Sequence, residues 1–250
     1  MRSEQSRIEH WDYKLEGWPA FGDAKPNPAH LAIVQLENAA KLLMVVTQNI
    51  DGLHSKAGTK RERLVELHGT NSLVECQSCH RLSDPEPHFR SFRETRKPPH
   101  CSCGGLLKPA TISFGQDLRA EEMRRAEQAA AEADLVVALG SSLSVYPAAA
   151  VPLMAARRGV PYVIINRGPT EHDGHSEVAL RLEGDVGEVF PQAVTEALHA
   201  NWNELHRKRA EESPELLRLR RRPRSRSSAQ CRGRGREGRR GYRSKFAFTL

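Results

Sequence analysis

Two close cysteine pairs, Cys76-Gln-Ser-Cys79 and Cys101-Ser-Cys103, are the residues of this chain whose type and spacing point most directly to chemistry. Each pair puts two sulfurs within reach of one ion, and the 21 residues between the pairs can fold back as a loop. Four thiolates so placed satisfy a tetrahedral Zn²⁺ with bonds of about 2.3 Å. Two disulfides, or ordinary buried cysteines, are the competing readings. The flanking residues are polar and charged rather than a core run, and no charged-then-apolar leader opens the chain. A reducing, cytoplasmic location and one bound zinc are therefore expected. A closed four-sulfur site has no open position for water, so the metal is structural and the catalyst must lie elsewhere. Cys231 stands alone and is read as incidental.

The elements that must position such a catalyst show in four short apolar runs. Leu42–Val46 ends at Thr47-Gln48-Asn49, Leu135–Leu139 at Gly140-Ser141-Ser142, Tyr162–Ile165 at Asn166, and Val178–Leu182 at Glu183-Gly184-Asp185. Helical patterns lie at Ala29–Ala40, Arg119–Ala133 and Ala148–Arg158. Short strands alternating with helices predict an α/β fold, a doubly wound parallel sheet covered on both faces. In such sheets ligands bind beyond the carboxyl ends of the strands. The small and amide residues at these ends can approach phosphates and hydrogen-bond ribose hydroxyls, which predicts a nucleotide crevice.

Composition divides the chain. It is 38% hydrophobic, below the usual share of about 45–50%, but the deficit is local. From Pro214 onward there are 13 Lys/Arg against two Glu, a net +11; subtracting this from the total of +7 leaves −4 for residues 1–213. The body is thus an ordinary, slightly acidic globular sequence. Residues 202–250 are expected to be a helical end, Glu204–Glu212, followed by a disordered Arg-rich tail that attracts nucleic acid weakly through charge. No run of 18 apolar residues occurs, so no membrane span is expected.

Taken in order, Thr47-Gln-Asn-Ile-Asp-Gly-Leu-His54, Glu66-Leu-His-Gly69, the four cysteines, Pro109–Gln116, Gly140-Ser-Ser-Leu143, Val145–Ala148 and Ile165-Asn166 resemble the motifs of sirtuins, NAD-dependent protein-lysine deacylases, in their bacterial type. The resemblance spans about residues 10–200. It implies a Rossmann-like NAD-binding domain formed by residues 1–69 and 106–201, with a zinc-ribbon module at 70–105. It also implies NAD and one structural zinc as cofactors, and acyl-lysine proteins or peptides as substrates.

In that family the acyl oxygen attacks the ribose carbon as nicotinamide leaves, and a base then helps the ribose hydroxyls close on the product. The resemblance places the base at His68, whose unperturbed pKa near 6.5 suits the work. It assigns Asn49 and Asp51 to the nicotinamide end and the chemistry there. Gln48 and Ile50 fall on the cofactor side, as do Gly140, Ser141, Ser142, Asn166, Arg167 and Gly168, with Val186 against adenine. Phe114, Gly115 and Val145 would line the acyl-lysine channel, and Cys76, Cys79, Cys101 and Cys103 would hold the metal. One departure stands out. The family's Gly-Ala-Gly-x-Ser turn and Pro-Asp-Phe-Arg segment do not occur in this sequence. The sheet is therefore expected to lack its central nucleotide-binding strand, exposing apolar edges and impairing catalysis. The alternative function is a non-catalytic zinc module with a basic, nucleic-acid-binding tail. A binding module, however, has no reason to keep Gln48–Asp51 with His68.

Overall fold

The structure is a computed structural model and describes residues 3–113, 115–200 and 246–249. Phe114, Cys231, the Glu204–Glu212 segment and most of the Arg-rich stretch lie outside the described residues.

The expected strands form because their side chains are needed on both faces. In the strand Leu135–Leu139, Val136 and Ala138 enter one buried cluster, while Val137 and Leu139 enter the other. Leu43 and Val46 divide from Leu42 and Val45 in the same way in the strand Leu42–Thr47. Such two-sided burial is what covers a parallel sheet on both faces. Helix α1 spans Glu4–Asp23 and α2 Pro28–Asn38; β1 is Leu42–Thr47, α3 Leu53–Ala57 and β2 Leu64–Glu66. A second group follows: β3 (Gly69–Cys76), β4 (Leu82–Ser83), α4 (Pro85–Thr95) and β5 (Leu107–Thr111). The chain continues through α5 (Ala120–Glu132), β6 (Leu135–Leu139), α6 (Ala150–Ala156), β7 (Tyr162–Asn166), β8 (Val178–Glu183) and α7 (Val186–His199), and β9 is Phe246–Thr249. Asn27 starts α2 by accepting from the His30 amide at 3.1 Å, and Pro28 at the first helical position suits a missing N–H.

The main sheet is six-stranded and parallel, in the order β2-β1-β9-β6-β7-β8. Alanine-rich α5 and α6 contribute to one cluster, and α2 with α7 to the other. Its centre corrects an expectation. The sheet does not lack a middle strand, because β9 is inserted between β1 and β6. There Ala247 pairs with Met44 on one side and Val136 on the other. Residues 246–249, assigned from composition to the unfolded tail, are four residues of alternating bulk after an Arg-rich stretch. A slot between two parallel strands offers hydrogen-bonding partners on both sides, and that tertiary gain outweighs the composition of the neighbours. Strand β9 runs parallel to both β1 and β6. Ala247 is buried among Val46, Val136 and their neighbours. An aspartate there would bring an unpaired carboxylate into an apolar core, so Ala247→Asp is expected to cost several kcal/mol in chemical denaturation. A denaturation midpoint equal to the parent's would remove β9 from the centre of the sheet.

The second sheet, order β4-β3-β5, is antiparallel and carries the cysteine ribbon. Its small core is aromatic. Trp11 of α1 is fully buried against Phe89 and Phe92 of α4, with ring centroids 5.2 and 5.9 Å away. Trp18 packs on Phe89 with ring centroids 4.5 Å apart and planes tilted by 32°, and donates from Nε1 to Glu86 Oε2 at 2.9 Å. Among the described residues, no helix is long and apolar enough to cross a membrane.

Candidate active site and metal centre

The four cysteines converge. Their sulfurs all lie within 4.8 Å of one another, with Cys76 Sγ 3.6 Å from Cys103 Sγ and Cys79 Sγ 3.8 Å from Cys101 Sγ. A tetrahedron with Zn–S bonds of about 2.3 Å has S···S edges of about 3.8 Å, whereas a disulfide requires about 2.05 Å. The spacing therefore fits one zinc and not two disulfides. The backbone amides of Cys79 and Ser78 point at Cys76 Sγ, at 3.5 and 3.4 Å, and hold its thiol below the usual range, favouring the thiolate that a metal takes. Glycine is required at 105, since a Cβ there would stand 2.6 Å from Cys76 Sγ.

The chain enters the second site at the end of β1. Asn49 N–H donates to Thr47 Oγ1 at 3.0 Å, and Leu53 N–H donates to Asp51 Oδ1 at 2.9 Å, so Asp51 fastens the start of α3. Gly52 between them has φ +67°, and a Cβ there would meet Ser72 Oγ at 2.4 Å. The neighbouring β2 delivers His68. Its Nδ1 lies 3.1 Å from the Gln48 carbonyl, an acceptor, so Nδ1 carries the proton and Nε2 is left with a lone pair. Gly69 has φ +72°, and a Cβ would come within 2.1 Å of the Ala110 carbonyl, so only glycine can follow the histidine. The His68 carbonyl in turn accepts from Ile112 N–H at 2.8 Å, tying the histidine to the loop after β5.

These segments enclose a cleft of ≈ 930 Å³. Gln48, Asn49, Ile50, Asp51, His68, Gly115 and Val145 all line it. Phe114 lies outside the described residues. The remaining expected residues stand along the adjoining strand ends. Ser141 Oγ is 3.5 Å from Gln48 Nε2 and also accepts from Leu143 N–H at 3.2 Å, which joins the two groups. Ser142 Oγ lies 2.8 Å from Ser144 Oγ. Gly140 adopts φ +60°, and Val186 packs over it, 3.5 Å from where a Cβ would sit. Asn166 is buried and spends its amide on the carbonyls of Arg167 and Gly168, at 3.2 and 3.0 Å, while Arg167 pairs with Asp185 at 2.8 Å. Asn166 therefore shapes its own turn at the end of β7.

Sequence reasoning did not select Phe21 of α1, Asn71 of β3 or Tyr146, which also line the cleft. Asn71 had a cue two residues after His68-Gly69 on an alternating strand; Phe21 had none, because it arrives from a distant helix.

Beneath the Asp51 turn, His54 is 2% exposed, its ring 4.6 Å from that of His30. Neither His54 ring nitrogen has a hydrogen-bond partner among the described residues. Burial, with His30 adding to it, pushes its pKa from 6.5 down to about 3. The sign follows from linkage: the unfolded chain binds the proton first, so the neutral imidazole stabilises the fold above pH 6.5 and that contribution is lost as pH falls toward the folded value. Each pH unit in this window is worth about 1.4 kcal/mol. Between pH 6.5 and 5 the parent should lose about 2 kcal/mol more than His54→Leu in urea denaturation. Parallel stability–pH curves would contradict the assignment.

The chain thus combines a parallel α/β sheet, a polar cleft at its strand ends and an attached ribbon whose four sulfurs suit one structural zinc. The chain belongs to the Sir2 family, whose model matches residues 1–147. It is 40% identical to NAD-dependent protein deacetylase 1 of Bradyrhizobium diazoefficiens over 188 residues, 75% of this chain and 73% of that protein. It is 34% identical to the mitochondrial NAD-dependent protein lipoamidase sirtuin-4 of Bos taurus, over 76% of this chain and 68% of that one. A solved structure described as Sir2 with a p53 peptide and NAD+ superposes with TM-score 0.69 at 36% identity, covering 76% of this chain and 77% of that chain. The family resemblance read from the motifs is thereby borne out.

Proposed function

We infer that this protein is an NAD-dependent protein-lysine deacylase that releases nicotinamide and O-acyl-ADP-ribose. The observation that carries this reading is the cleft in which His68, with Nδ1 engaged by the Gln48 carbonyl, shares one wall system with Asn49 and Asp51. When bound, NAD supplies the ribose carbon that accepts the acyl oxygen and the nicotinamide that departs. Asn49 and Asp51 offer an amide and a carboxylate to a carboxamide or ribose, with Ile50 as the apolar contact between them. Gln48 and Ser141 would hydrogen-bond ribose hydroxyls, and Gly140, Ser142 and Gly168 would let backbone come close to phosphates. Asn166 and Arg167 would serve the adenosine ribose, and Val186 would give an apolar contact for adenine. His68 Nε2 is the base that takes a ribose hydroxyl proton. Val145 and Gly115, which line the cleft, would border the acyl-lysine stem. A zinc held by Cys76, Cys79, Cys101 and Cys103 would keep the ribbon folded and, with four sulfur ligands, would leave no position open for chemistry.

On this reading residues 1–69 and 106–201 form the catalytic domain and 70–105 the zinc module. Four cysteines with no disulfide among them suit a reducing cytoplasm. Contact of the Arg-rich segment with nucleic acid rests on its charge alone. The 250 residues hold no Gly-Ala-Gly-x-Ser turn, so a pyrophosphate has fewer backbone donors here and NAD binding should be weak. Calorimetry should give a Kd above the micromolar range, and an acetyl-lysine peptide should lose its acyl group only when NAD is present at millimolar concentration. Deacylation at the same rate without NAD would overturn the reading.

A further inference from the structure

We propose that Lys108 is a positioning residue for the acyl-lysine-binding loop, acting through Gln116, an assignment that rests on the deacylase reading above. Lys108 lies in β5, a strand buried along its whole length, and is itself only 5% exposed. Its ammonium donates to Gln116 Oε1 at 2.7 Å, its one hydrogen bond among the described residues. The same Oε1 accepts from Ser113 N–H at 2.9 Å, and Gln116 N–H donates to the Ser113 carbonyl at 3.0 Å. The turn from Ser113 to Gln116 is thus closed twice, and its side-chain closure is fixed from beneath by a buried charge. One residue earlier, Ile112 N–H donates to the His68 carbonyl at 2.8 Å. Ser113, Gly115 and Gln116 line the same cleft as His68.

A buried ammonium is a costly way to support a turn. Burial pulls the Lys108 pKa below its usual range, while Glu75 acts against that and Lys14 and Arg119 add to it. An apolar side chain in an all-buried strand would avoid the cost. What the charge supplies is a short, directional bond that leaves the Gln116 carbonyl one orientation. With Gln116 fixed, the loop presents its wall to the acyl-lysine stem before the peptide arrives, which lowers the ordering cost of binding. Released, the loop would loosen without moving His68 or the zinc ribbon, because Ile112 remains tied to His68.

The test uses the full chain. In Lys108→Met, the KM for an acetyl-lysine peptide should rise about tenfold, equivalent to about 1.4 kcal/mol, while kcat and the KM for NAD stay within about twofold. Gln116→Ala should match it, the double variant should be no worse than either single one, and Gln116→Glu, whose carboxylate can accept both bonds, should behave as the parent. Amide hydrogen exchange at Ser113 should speed up in Lys108→Met and Gln116→Ala, with zinc content and melting temperature held. An unchanged peptide KM with unchanged Ser113 exchange, or additive single effects, would overturn the proposal, as would a KM rise that merely follows a lowered melting temperature in every variant. A parent without any acyl-lysine turnover would sink the deacylase reading instead, and Ser113 exchange alone would then decide whether Lys108 holds the loop.

Discussion

Replacing His68 with alanine is expected to lower acyl-lysine turnover by about 10²–10⁴-fold, the usual contribution of a positioned general base. Among the described residues the imidazole makes one hydrogen bond, to a backbone carbonyl, and is not part of any buried apolar cluster. Its removal should therefore leave zinc content and melting temperature unchanged. NAD affinity should also hold, because the residues proposed to grip the cofactor lie on other segments. The pattern expected is a fall in kcat with KM values held, the signature of an interaction made in the transition state. Asp51→Ala should differ. Its carboxylate fastens Leu53 N–H at the start of α3, so that variant should lose stability together with activity.

Stripping the zinc should have the largest effect on stability. The ribbon's core, Trp11, Val74, Cys76, Phe89, Phe92 and Leu107, is small, and a structural zinc contributes on the order of 10 kcal/mol to folding at pH 7. Elemental analysis should find one zinc per chain, and a chelator should abolish the near-ultraviolet signal of Trp11 and Trp18, which pack on α4. Because β3 starts at Gly69, directly after His68, melting the ribbon should also remove activity. Cys76→Ser should reproduce this loss. A metal-free protein with intact aromatic packing would show that the four sulfurs do not hold a folding-critical ion.

How much of this was visible beforehand depended on whether the signal was local. The strands β1, β6 and β7 are apolar runs whose buried residues feed both core clusters, while β8 is a half-exposed edge strand read from its alternating apolar residues; each was legible within a residue of its end. Strand β2 was not, because Leu64–Glu66 is three residues long and is a strand only by pairing with β1. Strand β9 was hidden twice, by its length and by the arginines before it. Helix α1 holds Pro19 and has no clean apolar stripe, so its residues read as a punctuated polar segment; Trp11 finds its partners about eighty residues later.

The site divides in the same way. Gln48–Asp51, His68-Gly69 and the cysteines are contiguous or closely spaced motifs, and the cleft gathers Gln48–Asp51 with His68. Phe21, Asn71 and the Lys108–Gln116 bond are products of packing. No window of sequence shows that a lysine in a buried strand points at a glutamine eight residues on, because that depends on the turn between them.

The most direct test of the central claim is a product balance. The protein, millimolar NAD and an acetyl-lysine peptide should yield nicotinamide, deacetylated peptide and an acetylated ADP-ribose in equal amounts by mass spectrometry, and all three should vanish with His68→Ala. Free acetate formed with no release of nicotinamide would contradict it.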